Sequence, residues 1–157
     1  MTYFRVLLLI CLMLTPAWAN TPLGSANLVV DGNMAKVGVA DWRTYASVTI
    51  TKDTTDPYRG TQNLRLTYVD QTTPNCFQII LTIGKTYRIT GWGRGDGTYY
   101  PKLYIAPTFI WNGSVANVWQ PFDLIVTATS ASFVFSNSLT GAGYVEWDDI
   151  RVVEVID

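Results

Sequence analysis

The chain has 157 residues, with 11 Lys and Arg against 12 Asp and Glu, a formal net charge of −1 and no histidine. The lack of histidine excludes Ser-His-Asp and Cys-His nucleophilic sites and any His-ligated zinc. The near-neutral balance gives neither the basic footprint of a nucleic-acid-binding protein nor a polybasic patch for a membrane surface. We therefore expect no nucleic acid partner and no membrane insertion.

Residues 1–19 have the pattern of a secretory signal peptide. Arg5 supplies a basic n-region, residues 6–14 are an unbroken apolar run, and residues 17–19 form a small-x-small cleavage site. The apolar run is too short to span a bilayer. We expect cleavage after this site and a mature domain of residues 20–157. The mature protein would be secreted or held at the cell surface, or periplasmic in a Gram-negative host.

The remaining sequence has the periodicity of β-strands. Runs rich in Thr, Val, Ile, Tyr and Phe alternate with Gly, Pro, Asn and Asp clusters, and no segment carries a sustained helical stripe. This pattern predicts an all-β sandwich. The predicted strands are 27–31, 45–52, 62–69, 76–83, 86–93, 102–111, 115–119, 122–128, 131–136 and 143–155.

Two local patterns refine this prediction. Asn112-Gly113 is typical of a two-residue hairpin, which would place Trp111 near an exposed loop tip. In the last predicted strand the apolar phase shifts by one residue, and a bulge at Asp148-Asp149 would absorb the shift.

Alternation within two strands suggests which side chains face outward. In the strand at 87–94, Arg88, Trp92 and Arg94 lie on the side opposite Tyr87 and Ile89. In the strand at 102–106, Lys102 and Tyr104 lie on the side opposite Leu103 and Ile105. If the aliphatic sides face the core, Trp92 and Tyr104 lie on an outer face among cationic side chains. Sugars present apolar C–H faces and hydroxyl groups, which suit aromatic platforms edged by polar groups.

The candidate carbohydrate-binding residues combine such platforms with hydrogen-bonding groups. They are Trp92, Tyr104, Trp111, Tyr99, Arg88, Arg94, Lys102 and Gln78. Trp92 is the preferred platform, and the alternative is that Trp92 packs under a loop.

Several short motifs occur in a recognisable order along the chain. They are Asn27-Leu28-Val29-Val30-Asp31-Gly32-Asn33-Met34, Asp41-Trp42, the Gly turn and strand at 58–66, the Gly-x-Thr-Tyr strand at 84–92, Trp119-Gln120-Pro121-Phe122, and the ending Val145-Glu146-Trp147-Asp148-Asp149-Ile150. Together they resemble the carbohydrate-binding modules of the family 4/9/16/22 type, in the galactose-binding-like group. The resemblance implies a jelly-roll β-sandwich of two antiparallel sheets that binds a polysaccharide or glycan.

The same resemblance implies a structural calcium ion beside the ending. The residues it assigns to calcium are Asp148, Asn33, Gly32 and Asp31. Calcium takes six to eight oxygen ligands, and the acidic residue of the family's opening motif is Ala35 here, so Asp31 would have to substitute for it. The alternative is that Asp148 and Asp149 only satisfy backbone donors at the bulge.

Two functions are compatible with these features. The first is a secreted, non-catalytic carbohydrate-binding β-sandwich. The second is a structural or assembly protein, of the surface, fibre or phage-virion type, that reuses the same fold. Exposed edge strands make self-assembly physically easy, and Cys76 would be the one cysteine left after cleavage. A lone cysteine is more often a buried small hydrophobe than an intermolecular link.

Overall fold

The computed structural model describes residues 26–45, 48–68, 75–137 and 142–156. The predicted leader, residues 1–19, and its cleavage site lie outside the described residues. Within the four described ranges, no helix is long and apolar enough to cross a membrane.

The described residues form ten β-strands in two five-stranded sheets. The strands are β1 (Arg43–Tyr45), β2 (Val48–Asp53), β3 (Asn63–Tyr68), β4 (Asn75–Ile79), β5 (Thr86–Gly95), β6 (Pro101–Ile105), β7 (Thr108–Asn112), β8 (Gln120–Thr127), β9 (Ser132–Asn137) and β10 (Gly143–Glu154). The first sheet has the order β1-β4-β9-β6-β7, and the second has the order β2-β3-β10-β5-β8. Every pairing is antiparallel. The predicted all-β sandwich of two antiparallel sheets is confirmed.

Strands β5 and β10 form the centre of the second sheet. Ile89 of β5 pairs with Val152 of β10, and both side chains are fully buried. Gly91 leaves room for the neighbouring core, because a Cβ atom there would lie 2.7 Å from Phe122 and 2.6 Å from Ile150. These distances are shorter than van der Waals contact, so this point of the strand requires a residue without a side chain.

A cluster of aromatic rings fills the space between the sheets. Trp147 of β10 stacks on Phe135 of β9 with ring centroids 4.4 Å apart. Trp42 contacts Phe135 at 5.1 Å, and Phe122 meets Trp147 edge-on at 6.1 Å. Each such ring buries about 150–250 Å², so this cluster links the two sheets into one core.

The predicted bulge in the last strand is confirmed. The pairing of β10 with β5 shifts register between Asp148 and Arg151. Asp149 has a φ of 50°, in the left-handed region, and takes up the extra residue. Trp147 and Val152 both face the core as a result, although their odd spacing would place them on opposite sides of a regular strand.

The predicted strand 27–31 is wrong. These residues form a turn in which Asp31 has a φ of 57°, a conformation that a strand does not accommodate. The backbone N–H of Leu28 donates to the carbonyl of Val152 at 2.9 Å. The segment therefore runs beside the end of β10 without adding a strand to the sheet.

The predicted hairpin at Asn112-Gly113 is also wrong. The single strand predicted over 102–111 is two strands, β6 and β7, joined through the cis peptide Ala106-Pro107. Proline has no N–H to give to a β-ladder, and β6 ends just before it. Asn112 is consequently the last residue of β7 rather than part of a turn.

The predicted strand 115–119 is a loop. The side chain of Gln120 supplies partners for its backbone: Oε1 accepts from the N–H of Ser114 at 2.7 Å, and Nε2 donates to the carbonyls of Ser114 and Val118 at 3.2 and 3.4 Å. Backbone groups satisfied in this way do not need a neighbouring strand.

Candidate functional site

The two preferred aromatic residues lie on opposite outer surfaces of the sandwich. Trp92 belongs to β5 in the second sheet, and Tyr104 belongs to β6 in the first. In each strand the aliphatic residues, such as Ile89 and Leu103, are buried, so the outward orientation predicted from alternation is right for both. Stacked sheets are about 10 Å apart. One ligand-binding surface therefore cannot include both residues.

Trp92 is covered on one side by the segment that follows β2. The ring of Tyr58 stacks on the indole with centroids 3.8 Å apart and an interplanar angle of 19°. Trp119 meets Tyr58 edge-on at 6.2 Å. One face of Trp92 is thus occupied by the protein itself, as the packing alternative expected. Direct sugar contact by Trp92 stays a prediction.

The two arginines predicted beside Trp92 already have carboxylate partners. The Nε of Arg94 donates to Glu146 at 2.6 Å, and its guanidinium also pairs with Asp56. The Arg94 side chain is only 7% exposed. Arg88 donates through Nε and Nη2 to both oxygens of Asp123, at 2.8 and 2.6 Å. This bidentate contact lowers the pKa of the Asp123 carboxyl group.

Gln78 is buried and faces the interior, contrary to its predicted role at a ligand edge. Its Nε2 donates to the carbonyl of Val30 at 2.8 Å, and its Oε1 accepts from the N–H of Val30 at 3.0 Å. Both amide functions are therefore used to hold the N-terminal turn against β4. A sugar cannot reach this side chain.

Trp111 does not lie at an exposed loop tip. Its ring contacts Phe122 at 5.0 Å and Trp147 at 6.0 Å, so it packs against the core. The prediction is wrong because the hairpin turn lies at Ala106-Pro107, which places Trp111 within β7 opposite Leu103. That register determines which side chains of β7 face the core.

Tyr99 also packs against the protein itself. It is half-buried against the core. A Cβ atom at Gly143 would lie 2.2 Å from Cδ2 of Tyr99, so this ring lies directly against the backbone at the start of β10.

The outer face of the first sheet carries a row of apolar and aromatic side chains that crosses four strands. The pairs Phe77–Val134, Val134–Tyr104 and Tyr104–Phe109 are in register, so their side chains share one side. Tyr104 and Phe109 have ring centroids 5.0 Å apart. Arg43 of β1 pairs with Phe77 and extends the row to the sheet edge. We call Phe77, Val134, Tyr104 and Phe109 the aromatic row.

A groove of about 230 Å³ runs along this aromatic row. The residues that line it are Tyr45, Asn75, Phe77, Tyr104, Ala106, Ser130, Ser132 and Val134. Tyr45 is 68% exposed at one end, and Phe109 is 47% exposed beyond the other. Amide and hydroxyl groups therefore lie beside exposed rings in one open depression.

Lys102 does not line the groove but lies on the same face, two residues from Tyr104, and its ammonium group lies near two rings. Its Nζ lies 5.1 Å from the ring centroid of Tyr100 and 4.7 Å from that of Phe109. Lys102 pairs with Ser136 and Asn112 on the neighbouring strands. Of the predicted carbohydrate-binding residues, Lys102 and Tyr104 are the two that the structure brings together on this face.

Three residues of this face, Tyr45, Phe77 and Phe109, are not among those predicted from the sequence. The signal for Phe77 was present in the alternation of β4, but the inward residues of that strand are Cys76 and Gln78. Because glutamine is usually an outward residue, the pattern did not identify which side faces the core.

Two of the residues assigned to calcium, Asn33 and Asp148, line one pocket together with Asp149, whereas Asp31 has other partners. Asp31 pairs with the buried ammonium group of Lys52 and accepts from the N–H of Lys36 at 2.9 Å. Asp148 accepts from the N–H groups of Arg59 and Asp149 at 2.9 and 2.7 Å. Among the described residues, no group of three or more His, Cys, Asp or Glu side chains could hold a metal ion.

Calcium needs six to eight oxygen ligands, and calcium binding stays a prediction. The guanidinium of Arg59 pairs with Asp149 at 3.0 Å and already supplies positive charge beside Asp148. The hydrogen bonds of Asp148 match the alternative, in which it satisfies backbone donors at the bulge. Burial raises the pKa of Asp148, and the backbone donors only partly offset that effect.

No protein-family model and no curated protein matches the chain. Solved structures do share its fold. The xylan-binding domain CBM22-1 of Xyn10C from Paenibacillus barcinonensis aligns with a TM-score of 0.61 at 11% identity, over 80% of this chain and 93% of that domain. TmCBM61, solved with β-1,4-galactotriose, aligns with a TM-score of 0.59 at 12% identity, over 82% of this chain and 98% of that module.

A third match is the tailspike protein 4 of bacteriophage CBA120, in a structure of its enzymatically active domain. It aligns with a TM-score of 0.60 at 15% identity, over 82% of this chain but only 21% of that chain. The present chain therefore spans about a fifth of that structure. These likenesses establish the fold: the chain has the jelly roll of carbohydrate-binding modules, and the resemblance inferred from the sequence is confirmed at that level.

Proposed function

We propose that the chain is a secreted, non-catalytic carbohydrate-binding domain whose ligand lies across the outer face of the first sheet. The observation that carries this proposal is the open groove along the aromatic row, with Phe77 and Tyr104 in its wall and Tyr45 at its end. The leader pattern of residues 1–19 supports secretion.

The groove offers both kinds of contact that a sugar chain requires. Phe77 and Tyr104 present ring faces to apolar C–H groups. Asn75, Ser130 and Ser132 line the same groove and provide amide and hydroxyl groups for sugar hydroxyls. Because the aromatic row crosses the strands, the ligand would run perpendicular to them, with Val134 beneath it.

No reaction is assigned to this face. Glycoside hydrolysis ordinarily uses a pair of Asp or Glu residues, and none of the described residues lining the groove is acidic. No role is assigned to calcium either. Binding would rest on the aromatic row and its polar neighbours alone.

The second function considered, a structural or assembly role, is not favoured by the comparisons. The matches that this chain covers almost end to end are carbohydrate-binding modules. Cys76 is buried, and burial raises the pKa of its thiol, so it is not presented for an intermolecular disulfide. Light scattering of the purified protein, with and without glycan, would report any self-assembly.

Truncating the aromatic row tests the proposal. We expect Phe77→Ala and Tyr104→Ala each to weaken polysaccharide binding about tenfold or more, as for well-packed aromatic contacts in other interfaces. Isothermal titration over a panel of soluble polysaccharides would measure the change. Ile125→Ala is the matched control, since Ile125 is an exposed apolar residue on the outer face of the second sheet.

Two results would contradict the proposal. Normal binding by both Phe77→Ala and Tyr104→Ala would exclude the groove as the site. Loss of binding in a folded Trp92→Ala variant, with the groove variants unaffected, would move the ligand to the second sheet.

A further inference from the structure

Most cationic side chains in this protein have an acidic partner. Among the described residues, every lysine and arginine forms an ion pair with a carboxylate except Arg43, Lys102 and Arg151. Two of these three, Arg43 and Lys102, lie on the outer face of the first sheet. The third, Arg151, lies on the outer face of the second sheet.

The two cations stand at different positions along the groove. Arg43 is exposed on β1, beside Phe77, and Lys102 lies on β6, beside Tyr104. These strands are three positions apart in the first sheet. With strands about 4.8 Å apart, the two cations are separated by about 15 Å across the groove. A single small anion could not contact both.

Among the described residues that line the groove, none carries a negative charge to balance these cations. The residues that line it are aromatic, aliphatic, amide or hydroxyl side chains. Lys102 is further restrained by the rings of Tyr100 and Phe109. An ammonium group restrained in this way, without a carboxylate of its own, is already positioned for a negative charge from outside.

We propose that the ligand of this groove is an acidic polysaccharide, with anionic groups on separate sugar residues that contact Lys102 and Arg43. The inference rests on the proposed function and specifies its ligand class. The aromatic row would supply affinity for the sugar rings, while the two cations would select a polyanion over a neutral chain. The anionic groups would be uronate carboxylates or sulfate esters, which share the chemistry that lysine and arginine recognise.

Matched polysaccharide pairs test the inference. Polygalacturonate would be compared with its methyl ester, and a sulfated galactan with its desulfated form, by isothermal titration at 50 mM and 500 mM NaCl. We expect the anionic member of at least one pair to bind about tenfold more tightly at low salt. That preference should shrink at high salt, because screening shortens the range of the attraction. The pair that shows the preference identifies the anionic group.

Charge-removing variants locate the preference. Lys102→Met keeps the aliphatic stem between the two rings, and Arg43→Gln keeps a polar side chain at the sheet edge. Each should weaken binding of the anionic form about two- to fivefold, the range of an exposed ion pair, and weaken binding of the neutral form less. Arg151→Gln is the matched control, since it removes an unpaired cation from the opposite face and should alter neither.

The outcomes separate this inference from the proposed function. Equal binding of anionic and neutral forms, sensitive to Phe77→Ala, would overturn the inference and leave the proposed function standing. A preference for the anionic form that Arg151→Gln removes as effectively as Lys102→Met would also overturn it. Absence of binding to every polysaccharide would overturn both.

Discussion

The outer faces of the two sheets differ in where their charged and aromatic side chains find partners. On the second sheet, the buried Glu146 carboxylate lies between Arg65 and Arg94, and the ring of Trp92 lies under Tyr58. On the first sheet, Phe77 and Tyr104 border an open groove. The first face leaves rings and cations open to a ligand, whereas the second satisfies most of its own groups.

This difference shows why residue types alone do not identify a binding surface. Trp92, Arg88 and Arg94 are the residue types that a sugar site uses. However, carboxylates of the same face neutralise both arginines, and Tyr58 covers Trp92. A face whose charges are paired within the chain is mainly structural. A face with unpaired cations beside exposed rings is open to a partner from outside.

Removing the central charge of the second face should give the largest effect on stability. Glu146 is fully buried and accepts from Arg65 at 2.9 Å as well as from Arg94. We expect Glu146→Gln to lower the free energy of unfolding by about 3 kcal/mol, the lower end for breaking a buried ion pair, because Asp56 remains as a second carboxylate partner of Arg94. Chemical denaturation would measure the loss.

The matched control is Glu154→Gln, which affects the exposed pair with Lys85. It should cost less than about 1 kcal/mol. A similar small loss for both variants would show that the second face does not depend on its internal ion pairs. Polysaccharide affinity should be unchanged in both, since neither residue is near the groove.

Uncovering Trp92 should have an intermediate effect. Tyr58→Ala removes the ring stacked 3.8 Å away, and a double-mutant cycle with Trp92→Ala should give a coupling of about 0.5–1.5 kcal/mol, the value for aromatic pairs. Denaturation of the four proteins in the cycle would measure it. A parallel cycle of Tyr58→Ala with Tyr45→Ala, on the other face, should give none. A coupling near zero in the first cycle would mean that Tyr58 does not stabilise the second face.

Much of the fold follows from local patterns in the sequence. Alternation in β5 and β6 correctly predicted that Trp92 and Tyr104 face outward. The phase shift in β10 correctly predicted the bulge at Asp148. Both features depend on residues that are close in sequence. The turn at Ala106-Pro107 was missed because Asn112-Gly113 has the stronger hairpin signature, although the chain does not turn there.

The composition of the site could not be predicted in the same way. Alternation shows that two residues point away from the core, but not which sheet each strand joins. That assignment depends on pairings such as β4 with β9, which are distant in sequence. Gln78 faces inward because its amide meets the backbone of Val30, 48 residues away. No local pattern contains that information, so Phe77 on the opposite side of β4 was overlooked.

The smallest expected effect is a pH dependence of stability. It should have opposite signs for two carboxylates of the second face, Asp148 and Asp123. Burial raises the pKa of Asp148, so the folded state gains protons relative to the unfolded state as the pH falls through that pKa. The stability of the native protein relative to Asp148→Asn should therefore rise as the pH is lowered from 7 towards 4.

Asp123 has the opposite sign, because its contact with Arg88 lowers its pKa below 3.8. The advantage of the native protein over Arg88→Gln should be present at pH 7 and lost as the pH falls below about 3.8. Denaturation of the three proteins across this pH range would measure both trends. Parallel trends for the two variants would show that Asp148 is not held in a buried, charge-disfavouring position at the bulge.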